Sequence, residues 1–167
     1  AKAGDSLVLT KHAGLEGASI IAFEKEDELI DALGSGTVNE AKSFINDLSV
    51  VKEGLLSAQF GVSAMHDVTE GGILGAVWEM CEASGKGAKL YIDKIPISMS
   101  TKKICEYYSI NPFKLMSSGC MLISAPDGEG LVSHLRKAGL KAEIIGSLND
   151  TKERLMVSQG DCNNIPA

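Results

Sequence analysis

Aromatic side chains are scarce in this sequence, at 5% of 167 residues with a single tryptophan. Any core it builds is therefore mainly aliphatic. Long apolar runs are missing as well. The hydrophobic stretches are short and interrupted by charge, which excludes a membrane-spanning helix. No basic segment followed by an apolar one marks a secretory leader. There is no basic stripe: 16 Lys and Arg are mixed with 22 Asp and Glu, for a formal charge of -6. That balance does not suit nucleic-acid binding. Cysteines are few, and Cys81, Cys105, Cys120 and Cys162 are irregularly spaced with no Cys-x-x-Cys pair. The spacing supports neither a metal site nor a disulfide framework, and a reducing cytoplasm fits it best. Neither a Ser-His-Asp arrangement nor a Walker-type phosphate loop is visible.

What is present fits one ordinary domain. Hydrophobic residues reach 44%, and many of the 18 glycines stand at the edges of apolar segments. Strands are expected at 7–10, 62–66, 88–92, 120–124, 141–145 and 155–157. Helices are expected at 16–22, 50–60 (closed by Gly61), 98–108 and 131–138, with short helices over 24–47 around a mobile Gly34-Ser35-Gly36 connection. The clearest helix carries Ile73, Leu74, Val77, Trp78 and Cys81 at a period near 3.6 and stops near Gly85. The tail 160–167 is polar and expected to be disordered. Alternating strands and helices with glycine turns imply a layered α/β or α+β domain with a mixed sheet.

Local chemistry concentrates in three turns. The first is His66-Asp67-Val68-Thr69-Glu70-Gly71-Gly72, set between a strand and the clearest helix. Asp67 and Glu70 have capping-box spacing, and either Asp67 or Thr69 could serve as N-cap. Two glycines in a first turn are costly. Either they bare backbone N–H groups to an anion, or they let the helix pack closely on the sheet. In the second turn, Lys11-His12-Ala13-Gly14, the Lys11 and His12 side chains could meet a phosphate or carboxylate, or simply be solvated. In the third, Ser117-Ser118-Gly119 before Cys120, small residues allow a ligand or domain to approach, or form a plain tight turn. Cys120 reads as a buried strand residue without an assignable base. His134 reads as structural or solvated.

Taken in order, these signals resemble the C-terminal domain of the AIR-synthase superfamily. The run Met65 to Ile73, followed by Glu82-Ala83-Ser84-Gly85-Lys86-Gly87, is most similar to its HypE-type hydrogenase maturation branch. Asn111-Pro112 and Ser117-Ser118-Gly119 also fit. The resemblance spans about residues 4 to 158. It implies an α+β fold like the PurM C-terminal domain, in three layers α/β/α around a mixed sheet. Residues 1–160 would form that domain and 161–167 a polar tail. The N-terminal ATP-binding domain would lie outside this chain, which starts at Ala1 without a methionine and enters a strand at once. It further implies ATP and magnesium, held mainly by that other domain, and a cytoplasmic homodimer acting on a small molecule whose oxygen is activated by phosphorylation. Asp67 would be the catalytic residue. His66, Thr69, Gly71, Gly72, Lys11, His12, Ser117 and Ser118 would contact substrate or phosphate, with no metal ligand on this chain.

The sequence departs from that pattern at two places. Glu70 stands where the HypE-type motif more usually carries a basic residue. Cys162 is not terminal, whereas HypE-type proteins end in a cysteine-bearing tail. Both motivate an alternative: a non-catalytic ligand-sensing or assembly module that keeps the fold.

Overall fold

Strand β1 (Ser6–Thr10) alternates Leu7 and Leu9 on one face with Val8 on the other, and all are fully buried. Apolar residues on both faces of a strand require a layer on each side of the sheet. The computed structural model, which describes residues 1–166, supplies both layers. The chain runs β1, α1 (Leu15–Glu24), α2 (Glu26–Leu33), α3 (Ser35–Ser43), a 3-10 turn (Phe44–Asp47), α4 (Val51–Phe60), β2 (Ala64–Asp67), α5 (Gly72–Ser84) and β3 (Gly87–Tyr91). After a second 3-10 turn (Ile92–Lys94) come α6 (Met99–Tyr107), β4 (Met121–Ala125), α7 (Gly128–Lys137), β5 (Ala142–Asn149), β6 (Arg154–Ser158) and β7 (Asp161–Asn164).

The seven strands form one sheet in the order β2-β4-β1-β5-β3-β6-β7, antiparallel except for the parallel β3–β6 pair. Helix α5 covers one face: Ile73, Leu74, Val77 and Cys81 pack with Leu7, Leu9, Leu90, Leu122 and Ile145. On the other face α4 and α7 meet Val8, Ile123 and Ala125 through Leu56, Leu131 and Leu135. The fold is the expected α+β arrangement. A third cluster, built on Leu15, Ala22, Leu29, Val38 and Ile104, binds α1, α2, α3 and α6 to one another. Each fully buried Leu or Ile contributes roughly 1.5–3 kcal/mol of transfer free energy.

Two local expectations are corrected. The tail is not disordered over its described part. Residues Asp161–Asn164 pair with β6 through a two-residue turn, Gln159-Gly160. Both turn residues have positive φ, 48° and 93°, as a hairpin turn matched to strand twist requires. The Asp93 carboxylate accepts from Ser158 Oγ and Gln159 N, and Ile165 is 3% exposed in the core. Ala167, the last tail residue, lies outside the described residues. Helix α5 is not capped by Asp67 or Thr69 either: Gly71 holds the N-cap position in a left-handed conformation, with no side-chain cap.

Candidate functional site

The topology brings the three turns to one end of the sheet. Strands β1 and β2 finish where their antiparallel partners start, with Asp67 opposite Met121 and Thr10 opposite Ala142. Backbone and hydroxyl bonds then tie the turns together. Val68 N–H donates to Cys120 O at 3.1 Å and Ser117 N–H to Thr69 O at 3.4 Å. Gly14 N–H donates to Ser117 Oγ at 2.7 Å, and that hydroxyl donates to Leu115 O at 2.7 Å. Ser117 is fully buried, with its hydroxyl committed to joining two turns. Ser118 beside it is half-buried.

Lys11 closes the same knot. Its ammonium donates to the carbonyls of Asp47, Ser49 and Gly119 at 2.7, 2.7 and 2.9 Å. Those bonds use all its hydrogens. Glu53 Oε1, on a carboxylate side chain only 2% exposed, balances the charge at 2.9 Å. The carboxylate that Lys11 meets is thus part of the protein.

The two glycines have different environments. A Cβ on Gly72 would meet Phe113 O at 2.5 Å and Leu115 O at 2.7 Å, and φ is +61°. Gly72 therefore lets the 113–115 backbone press on the helix start, where Phe113 O accepts from Leu74 N–H at 3.2 Å. Gly71 is exposed, and a Cβ there would meet only Gly75 of its own helix. The N–H groups of Gly71 and Ile73 have no acceptor among the described residues. Close packing and a bared helix end thus occur side by side.

Asp67 is 64% exposed and Thr69 half-buried. His66 turns toward α5, where Nε2 meets Glu79 Oε2 at 2.6 Å, while Nδ1 lies 3.6 Å from Asp67 Oδ1. His66 and Glu79 line a cavity of about 260 Å³ with Ala64, Met80 and Ala83. His12 instead lines a groove of about 500 Å³ with Lys141, Glu40, Asp47 and Ser98. Its ring stands edge-on to Phe44, with 4.8 Å between centroids. Burial chiefly, with Lys141 adding, pushes its pKa down against the Ala13 backbone bond, Asp47 and Glu40. Its Nδ1 is buried without a partner. Cys120 donates to Ser117 O, and burial pushes its thiol up to about 12, so it stays protonated.

The family model for the AIR synthase related protein, C-terminal domain, matches residues 2–158. The chain belongs to that family. A Methanocaldococcus jannaschii protein named for hydrogenase expression and formation is 30% identical over 147 residues, 86% of this chain and 42% of the relative. The AIR-synthase-related fold is that of crystalline Escherichia coli HypE, a hydrogenase maturation protein, with TM-score 0.81 and 22% identity over 99% of this chain and 51% of that one. A HypE crystallised with ATP gives TM-score 0.74 at 16% identity, over 99% of this chain and 51% of that one. The chain thus spans about half or less of the proteins it is compared with here.

As an AIR-synthase-related C-terminal domain, the chain offers one place suited to an anion. The bared N–H groups at Gly71 suit a phosphate. For magnesium, no cluster of three His, Cys, Asp or Glu side chains occurs among the described residues. Sequence reasoning missed Lys141 and Glu79. Lys141 reaches the groove because β5 starts beside the end of β1, and Glu79 reaches His66 because α5 crosses β2. Neither proximity has a local signature. Pro96–Ser98 is drawn in by Ala13 N–H donating to Pro96 O at 2.9 Å, again a long-range bond.

Proposed function

We propose that this chain is the phosphate- and substrate-side domain of an ATP-dependent enzyme, related to hydrogenase maturation, that activates a substrate oxygen by phosphorylation. The supporting observation is the junction of the Asp67–Gly72 turn with the Lys11–Gly14 loop through Ser117, beside a helix end bared at Gly71. There Asp67 positions the reacting group, Thr69 and Gly71 face the phosphate, and the His12 groove takes the remainder of the substrate. Such a site acts by orientation and electrostatics, as phosphoryl transfer demands. ATP and magnesium are held mainly by an N-terminal domain, in a homodimer, and the isolated chain has little or no turnover.

Cys162 does not serve as a carrier thiol in this reading. It lies on β7, at the sheet edge opposite β2. With strands about 4.8 Å apart, that is on the order of 29 Å away.

The test is magnesium-dependent ATP turnover by the full-length protein with carboxamide, phosphate-ester and selenide acceptors. Asp67→Ala is expected to lower turnover on the order of 100-fold. Unchanged turnover in that variant would favour the second reading, a ligand-sensing module, for which the exposed Glu70 beside the helix start argues.

A further inference from the structure

The pair formed by His66 and Glu79 is left unused by the phosphate-side reading. Alternation along β2 turns Ala64 and His66 toward α5. A carboxylate only accepts hydrogen bonds, so the ring nitrogen facing Glu79, at 2.6 Å, carries a proton. In the neutral ring that nitrogen is Nε2, and Nδ1 keeps its lone pair. The 3.6 Å from Nδ1 to Asp67 Oδ1 is too long for a direct hydrogen bond. The lone pair is therefore free, next to the residue assigned to the reacting group. As a stability device the pair is weak, because Glu79 is 63% exposed. Its effect is on orientation.

We propose that Glu79 is a positioning residue that locks His66 in the Nε2–H tautomer, and that His66 Nδ1 receives the proton of the acceptor hydroxyl or carboxamide. The proposal rests on the assignment of the Asp67 turn to the reaction cleft. When the acceptor oxygen forms its bond to phosphorus, the bond from phosphorus to the leaving oxygen breaks and its electron pair stays on that oxygen. The acceptor's proton passes to Nδ1, while its bonding pair remains on the acceptor. The resulting imidazolium lies between Glu79 and Asp67. His66 and Glu79 are the only titratable side chains lining the cavity among the described residues.

Long-range 15N–1H NMR on this chain, which has only three histidines, reads the tautomer directly. At a pH where the ring is neutral, the wild type is expected to show Nε2–H alone. Glu79→Leu should relax it to the mixture of free imidazole, and Glu79→Gln, whose amide oxygen still accepts, should restore it. An Nδ1–H signal in the wild type, or no change in Glu79→Leu, overturns the locking. In the full-length protein His66→Gln should lower kcat on the order of 100-fold and flatten the acid limb of its pH profile. An unaltered profile overturns the proton transfer. Absence of turnover in the wild type overturns the cleft reading and the proton transfer with it, and the NMR result still decides the locking separately.

Discussion

At the scale of single residues, buried titratable groups link this fold to pH in two separate windows. His12 has a pKa held below the ordinary 6.5, mainly by burial. The unfolded chain therefore binds a proton at this position before the folded one does, and stability falls as pH drops below about 6.5 toward the folded value. His12→Gln should flatten the urea-midpoint curve below about pH 6.5. Asp5 acts lower. Burial pushes its pKa up, but hydrogen bonds from Ser124, Ser63 and Lys2 N–H outweigh it and hold it below the ordinary 3.8. Its contribution is complete above that value and is lost as pH falls through the folded pKa. Asp5→Asn should remove that acid limb and leave the His12 window in place. Of these groups the sequence marked only His12, as a loop residue with two possible fates. The Asp5–Ser124 bond, 2.6 Å long, spans 119 positions and leaves no local trace.

At the scale of elements, glycine is costly in one helix and required at another. Gly72→Ala would meet the Phe113 and Leu115 carbonyls at a positive φ, so a loss of about 2 kcal/mol or more is expected on chemical denaturation. Gly36 lies within α3, has open space around its Cβ position and no positive φ. Gly36→Ala should stabilise by roughly 0.5–1 kcal/mol. Helix α5 was legible because its apolar positions repeat with the helical period. Its cap was not, since the groups at its start bond to residues more than 35 positions onward: Phe113 O accepts from Leu74, and Thr69 O accepts from Ser117. Strand β7 was illegible for another reason. Asp and Asn are poor strand formers, and Asp161–Asn164 is extended because β6 and the Gln159-Gly160 turn hold it so.

At the scale of the whole molecule, the layered mixed sheet followed from alternating elements and the α+β class from the resemblance, whereas the strand order did not follow, because five of its six neighbour pairs are non-consecutive in sequence. The C-terminal strands close the α5 face through Ile165 and through Arg154, whose guanidinium stacks 3.9 Å from the centre of the Trp78 ring. Ile165→Ala should cost about 2–4 kcal/mol. The fluorescence of the single tryptophan should follow the detachment of β6 and β7 in urea. The Lys11 knot, finally, is a ring of oxygens drawn from distant parts of the chain around one positive charge. Emptied of its side chain, that ring is a ready coordination shell for a bare monovalent ion. Lys11 has φ +54°, so glycine fits the backbone without strain. Lys11→Gly should therefore become a potassium-dependent protein, melting higher in potassium chloride than in choline chloride of equal ionic strength, while the wild type melts alike in both.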